Sequence, residues 1–139
     1  MERATGIGGL FFRSDDPAAL ARWYREALGI DTFSEGGEDG VWSQEAGPTV
    51  WAPFPRDTTY FGGSGQTWMV NLRVRDLDAM LAQLRDQGVT VHGDVQVMPG
   101  IGRFGWADDP EGNRFELWEP DAAASASDAP PAIEPAPHP

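Results

Sequence analysis

The 139-residue chain contains no cysteine and only two histidines, His92 and His138. Without cysteine there is no disulfide framework, no thiol nucleophile and no thiolate metal site. No stretch approaches the run of about 18 apolar residues that a membrane span needs. The opening MERATGIGGLFF lacks the basic segment, long apolar stretch and small-residue cleavage site of a secretory signal. A cytoplasmic protein is expected. Basic residues are also scarce: 10 Lys and Arg stand against 22 Asp and Glu, for a formal charge of -12. Setting aside Asp121, Asp128 and Glu134, which lie beyond Pro120, leaves about -9 of that -12 on residues 1–120. A surface this acidic repels phosphate backbones and anionic lipid, so neither nucleic acid nor a membrane is an expected partner. It favours cationic ligands, although solubility alone is a sufficient reason for it.

What is present suits one domain with a real core. The tail 121–139, DAAASASDAPPAIEPAPHP, is Ala, Pro and Ser with a single isoleucine. It buries too little apolar surface to offset its ordering entropy and is expected to be disordered. Residues 1–120 read as two copies of one unit. The first has a strand in IGGLFFR, then a helix in DDPAALARWYREALGI, capped by Asp15 or Asp16, with Pro17 in its first turn and Gly29 past its end. Leu20, Tyr24, Ala27 and Leu28 form its buried stripe. The second has a strand in TWMVNLRV and a helix in RDLDAMLAQLRDQGV, capped by Asp76 and ended by Gly88, with Leu77, Met80, Leu81 and Leu84 buried.

Short strands broken by Gly, Pro and Asp follow each helix: 31–36, 40–45 and 48–54 in the first half, 89–96, 102–107 and 114–119 in the second. The halves end alike, in PTVWAP and RFELWEP. The expected fold is therefore α+β, with paired βαβββ modules over about 6–54 and 67–120 and a linker over 55–66. Curved mixed sheets would enclose a cavity on the face opposite the helices.

This layout, the Asp-led helix with WY before LG, and the ending DPEGNRFELWEP resemble the vicinal oxygen chelate superfamily over residues 6–120. That group holds glyoxalase I, the bleomycin-resistance proteins and the extradiol dioxygenases. In metal-dependent members the resemblance implies a ligand near the start of each half's first strand and a carboxylate on each half's last strand. Carried over by register, those positions are Gly9, Met69, Thr49 and Glu116. Glycine has no side chain, methionine is too soft, threonine is a poor ligand, and one carboxylate cannot make a three- or four-ligand site. No metal and no other cofactor is expected.

Strand alternation assigns a lining instead. Phe11 and Arg13, then Met69, Asn71 and Arg73, face the cavity from the first strands. Thr49, Trp51, Glu116 and Trp118 face it from the last strands, and Trp42, Phe104 and Trp106 add walls. Glu116 is expected to pair with Arg13 or Arg73. Such a pocket suits a flat or amphipathic small molecule held by stacking and a few directed hydrogen bonds. Ordinary sheet packing of the six tryptophans is the plainer alternative. Other chemistry is thin. Ser14, Ser43 and Ser64 have no histidine placed to activate them, and GGSG and PGIG neither open a helix nor precede a lysine. His92 is expected to face solvent or to bond locally.

The expectation is a glyoxalase- or bleomycin-resistance-like protein that binds a small organic molecule without the superfamily's metal, and the resemblance implies a homodimer. The alternatives are a lyase, isomerase or dioxygenase-related enzyme, metal-dependent or not, and a module whose cavity is filled by its own side chains.

Overall fold

The computed structural model describes residues 1–34, 37, 38, 40–63 and 65–122. The tail beyond Ala122 lies outside the described residues, as do residues 35 and 36 of the strand expected over 31–36. Both helices start and stop where their capping residues place them. Helix α1 runs Pro17–Leu28. The Asp16 carboxylate accepts from the Ala19 amide at 3.1 Å, and Gly29 turns the chain out at φ 70. Helix α2 runs Leu77–Asp86, with Asp76 accepting from Ala79 N at 3.0 Å. A cap of this kind contributes about 1 kcal/mol.

Strands β1 (Phe33–Ser34) and β2 (Gly37–Glu38) make a two-stranded antiparallel pair. The main sheet holds β3 (Asn71–Arg73), β4 (Val91–Met98), β5 (Gly102–Asp108) and β6 (Arg114–Pro120) in the order β3-β6-β5-β4. Strands β4, β5 and β6 form an antiparallel meander, and β3 runs parallel to β6. Helix α2 carries the chain from one sheet edge to the other and covers one face on the way. This is the second βαβββ unit read from the repeat.

Period-two alternation sorts the sheet residues onto two faces. Ala107, Phe115 and Leu117 pack with Leu77, Leu81, Leu84 and Ala27 on the helix side, joined by Val70, Leu72 and Val74. Gly105 permits that approach, because a Cβ there would lie 3.2 Å from the Leu81 methyls. Phe104, Trp106 and Trp118 occupy the opposite face with Tyr60. Both faces are thus buried, each large side chain contributing about 1.5–3 kcal/mol by leaving water.

The first half differs from the sequence expectation. Described residues in 6–13 and 40–54 carry no strand, so α1 and the β1–β2 pair represent that half. Gly6, Gly8 and Gly9 weaken the first stretch and Pro48 and Pro53 the second, and neither has a ladder partner to offset that cost. No described helix is long and apolar enough to cross a membrane.

Candidate functional site

Register across the sheet assembles the site. Asn71 lies opposite Glu116, Glu116 opposite Trp106, and Trp106 opposite His92. Residues directly opposite one another point to the same side, so these four form one row across the face away from the helices. The neighbouring row holds Arg73, Trp118, Phe104 and Gln96.

Glu116 is the centre of this face. Only 5% of it remains exposed, and both carboxylate oxygens are engaged. Oε1 accepts from Asn71 Nδ2 at 2.7 Å. Oε2 accepts from Trp106 Nε1 at 2.9 Å and from the Tyr60 hydroxyl. Burial pushes the Glu116 carboxyl above its ordinary value, against the opposing pull of the bonds from Tyr60, Asn71 and Trp106. Burial and the adjacent carboxylate likewise raise the Tyr60 phenol, so that it remains a proton donor. Rings wall the group in. Tyr60 meets Trp106 edge-on at 6.0 Å and Phe54 at 5.5 Å, and Phe104 and Trp118 lie parallel within 3°.

The arginine expected beside Glu116 is replaced by these neutral donors. Arg73 shares the face, but its guanidinium donates to the Glu45 carbonyl at 2.9 Å. Arg13 lines a hollow with Ser14, Asp15 and Glu111, ahead of α1. Among the described residues no arginine pairs with Glu116. Tyr60, Asn71 and Trp106 occupy the Glu116 oxygens in their place.

Of the other residues assigned to the lining, Met69, Asn71, Phe104, Trp106 and Trp118 gather around Glu116. Phe11 is 95% exposed, Trp51 83% and Trp42 40%, and Thr49 is exposed as well. Val50 and Phe54 pack on the cluster instead, so the alternation of PTVWAP runs one residue out of phase with the lining assigned to it. Tyr60 was missed because it falls in the segment read as a linker. The one available signal was the Tyr60–Phe61 pair, two bulky rings in a stretch otherwise polar and glycine-rich.

The turn DDPEGN has a different task. Buried Asp109 accepts from the amides of Glu111 and Asn113, from Asn113 Nδ2 and, at 2.7 Å, from the Tyr24 hydroxyl of α1. Glu111 accepts from the Ser14 hydroxyl and the Asp15 amide at 2.7 Å each. The turn therefore clamps the start of α1 onto the β5–β6 hairpin. An open hollow of about 440 Å³ lies there, between Trp23, Pro110 and Glu111. It is remote from the Glu116 face, and its Asp16 and Glu111 carboxylates already serve as caps. His92 is partly buried, its Nε2 2.8 Å from Asp108 Oδ1 at ion-pair distance but outside hydrogen-bond geometry, and Arg114 Nε lies 3.9 Å from the same oxygen.

The donor set does not fit a metal. Among the described residues Glu116 has no second carboxylate or imidazole beside it, and no group of three His, Cys, Asp or Glu could hold an ion. The face combines a buried carboxylate with closely packed rings, and Tyr60 covers it: Glu116 is 5% exposed and Phe104, Trp106 and Trp118 1% each.

The profile of the glyoxalase-like domain matches residues 9–118. No curated protein matches the chain. Among solved structures, TnmS3, an antibiotic-binding protein from Streptomyces sp. CB03234, is 24% identical, with 86% of this chain and 100% of that one covered at a TM-score of 0.53. A member of the glyoxalase/bleomycin resistance protein/dioxygenase superfamily from Sphaerobacter thermophilus is 23% identical over 76% of this chain and 90% of that one, at a TM-score of 0.45. The fosfomycin resistance protein FosX from Listeria monocytogenes is 13% identical over 84% and 94%, at 0.49.

Proposed function

Since the chain belongs to the glyoxalase-like domain family, we propose that it binds a small aromatic or amphipathic molecule on the Glu116 face, by sequestration and without a metal. The observation that carries this reading is the chemistry of that face. A single buried carboxylate, held by Tyr60, Asn71 and Trp106, sits among stacked rings in the position where metal-dependent relatives would place a ligand. The chain keeps the carboxylate, while Gly9, Met69 and Thr49 stand at the other three positions that the resemblance implies. TnmS3, which shares the fold, is an antibiotic-binding protein, and the same use of the fold is part of this reading.

Two further elements belong to the proposal. The first half of the chain completes a second βαβββ module around the pocket, and two chains pair as a homodimer in the cytoplasm. The exposed Phe11, Trp42 and Trp51 are the groups such an arrangement would cover.

The test is a fluorescence titration of the purified protein with a panel of planar and amphipathic compounds, reading Trp106 and Trp118. Saturable quenching by some members, lost in Glu116→Ala, supports the proposal. No response from any compound favours a face filled permanently by its own side chains. Near-stoichiometric Zn, Ni, Mn or Fe in the preparation, lost on Glu116→Ala, would overturn the metal-free reading in favour of an enzyme.

A further inference from the structure

We infer that residues 58–62 are a displaceable plug, and that what displaces Tyr60 from Glu116 is a protonated amine carried on an aromatic or apolar body. The inference rests on the small-molecule reading above and names the ligand class for the same face.

The three donors to Glu116 are not equivalent. Asn71 and Trp106 sit on β3 and β5, fixed by ladder registers on β6. Tyr60 arrives from a segment built of turns, closed by Thr58 N to Pro55 O at 3.0 Å, Gly62 N to Thr59 O at 3.4 Å and Gln66 N to Gly63 O at 3.1 Å. Gly62 stands at φ 87, a conformation that glycine adopts without steric cost. The firm anchor of the segment is Gln66, whose side chain bonds both the amide and the carbonyl of Arg114, at 2.8 and 2.7 Å. That anchor lies downstream of the glycines, so residues 58–62 can lift while Gln66 stays in place. Turn segments of this kind open at a lower free energy than a sheet does.

The charge on the face is unbalanced. Among the described residues Glu116 receives hydrogen bonds from neutral groups only, while Arg73 is committed to the Glu45 carbonyl and Arg114 lies beside Asp108. A buried carboxylate with no counter-ion is costly, and an ammonium group supplies both the missing charge and up to three N–H donors. The position left by the Tyr60 hydroxyl lies within reach of Oε2. The space left by its ring is bounded by Phe54 and Trp106. A body of phenyl shape is therefore complementary to it, with the cation close to aromatic faces. The formal charge of -12 adds long-range attraction for such a ligand.

The test uses benzylamine, p-cresol and toluene as probes of one shape, titrated calorimetrically near neutral pH into Tyr60→Ala. Benzylammonium is expected to bind about tenfold or more tightly than toluene, with p-cresol between them. Adding Glu116→Gln should abolish that order. Equal affinity for all three would overturn the cation assignment and leave the small-molecule reading intact. Failure of all three to bind would overturn both. In the wild-type protein, saturating benzylamine should raise amide exchange across residues 58–62, and bound amine with unchanged exchange would overturn the plug. Should Tyr60→Ala fail to fold, Tyr60→Phe keeps the ring and removes only the competing hydroxyl. Its affinity for benzylammonium should then rise several-fold over wild type, and an unchanged affinity would refute the displacement.

Discussion

Glu116→Ala and Glu116→Gln form a pair whose difference isolates what the carboxylate holds together. Alanine removes the acceptor that the Trp106 indole N–H, the Asn71 amide and the Tyr60 hydroxyl share, the first two on strands held in the sheet. A stranded buried donor costs about 1–3 kcal/mol. With Asn71 left without its acceptor and the bonds from Trp106 and Tyr60 to the carboxylate lost, the expected cost is about 2–4 kcal/mol. Glutamine keeps the shape. Its carbonyl can accept from Tyr60 and Trp106, and rotation of the Asn71 amide lets that side chain accept from the new NH₂ group. Its cost at neutral pH should stay within about 1 kcal/mol.

The pH dependence follows from the direction of the Glu116 shift. Its folded carboxyl lies above the ordinary 4.5 because burial outweighs three hydrogen bonds. The folded state therefore holds the proton more tightly than the unfolded state. The stability this group contributes is fully present below the ordinary value and is lost as pH rises through the folded one. Wild type should lose stability relative to Glu116→Gln over that window and hold a constant difference below it. Urea midpoints and slopes collected for all three proteins from pH 4 upward provide the assay. A Glu116→Ala loss under about 1 kcal/mol would refute the hub role of the carboxylate. A gap that moves in favour of wild type as pH rises would refute the claim that burial dominates.

Three other outcomes are expected. Asp109→Ala should cost about 2–4 kcal/mol, because it strands the amides of Glu111 and Asn113 and releases Tyr24 of α1; Tyr24→Phe, which removes only the last of these bonds, should cost about 1 kcal/mol in the same denaturation assay. Gly102→Ala should cost more than about 2 kcal/mol and lower the midpoint steeply, since residue 102 stands at φ 146 and a Cβ there would collide with the Glu119 carbonyl and the Trp118 indole nitrogen. Gly105→Val should destabilise by about 1–3 kcal/mol through crowding of Leu81 and Leu77, measured by thermal melting, whereas Gly112→Asn, in a turn with open space, should stay within about 1 kcal/mol.

Local chemistry sufficed for much of the molecule. Asp16 and Asp76 capped their helices, Gly29 ended α1, and the apolar stripe of α2 was legible at helical spacing. The strands around Phe104, Trp106, Glu116 and Trp118 sorted onto one face by alternation alone, because neighbours along a strand must point opposite ways whatever lies beyond them. That was enough to put Glu116 on the face away from the helices, in line with Trp118. The partners of Glu116 needed the tertiary structure. Tyr60 is 56 positions away in the chain, in a segment whose polar, glycine-rich composition reads as a connection. Nothing in residues 55–66 reveals that β3 runs parallel to β6 and so leaves a carboxylate beneath them. The extended reading of 6–13 and 40–54 had the same weakness, since a strand exists only where another edge accepts its hydrogen bonds. Helices and faces follow from contacts a few residues apart, whereas pairing, coverage and the neutral ring of donors around Glu116 come from contacts that only the folded chain creates.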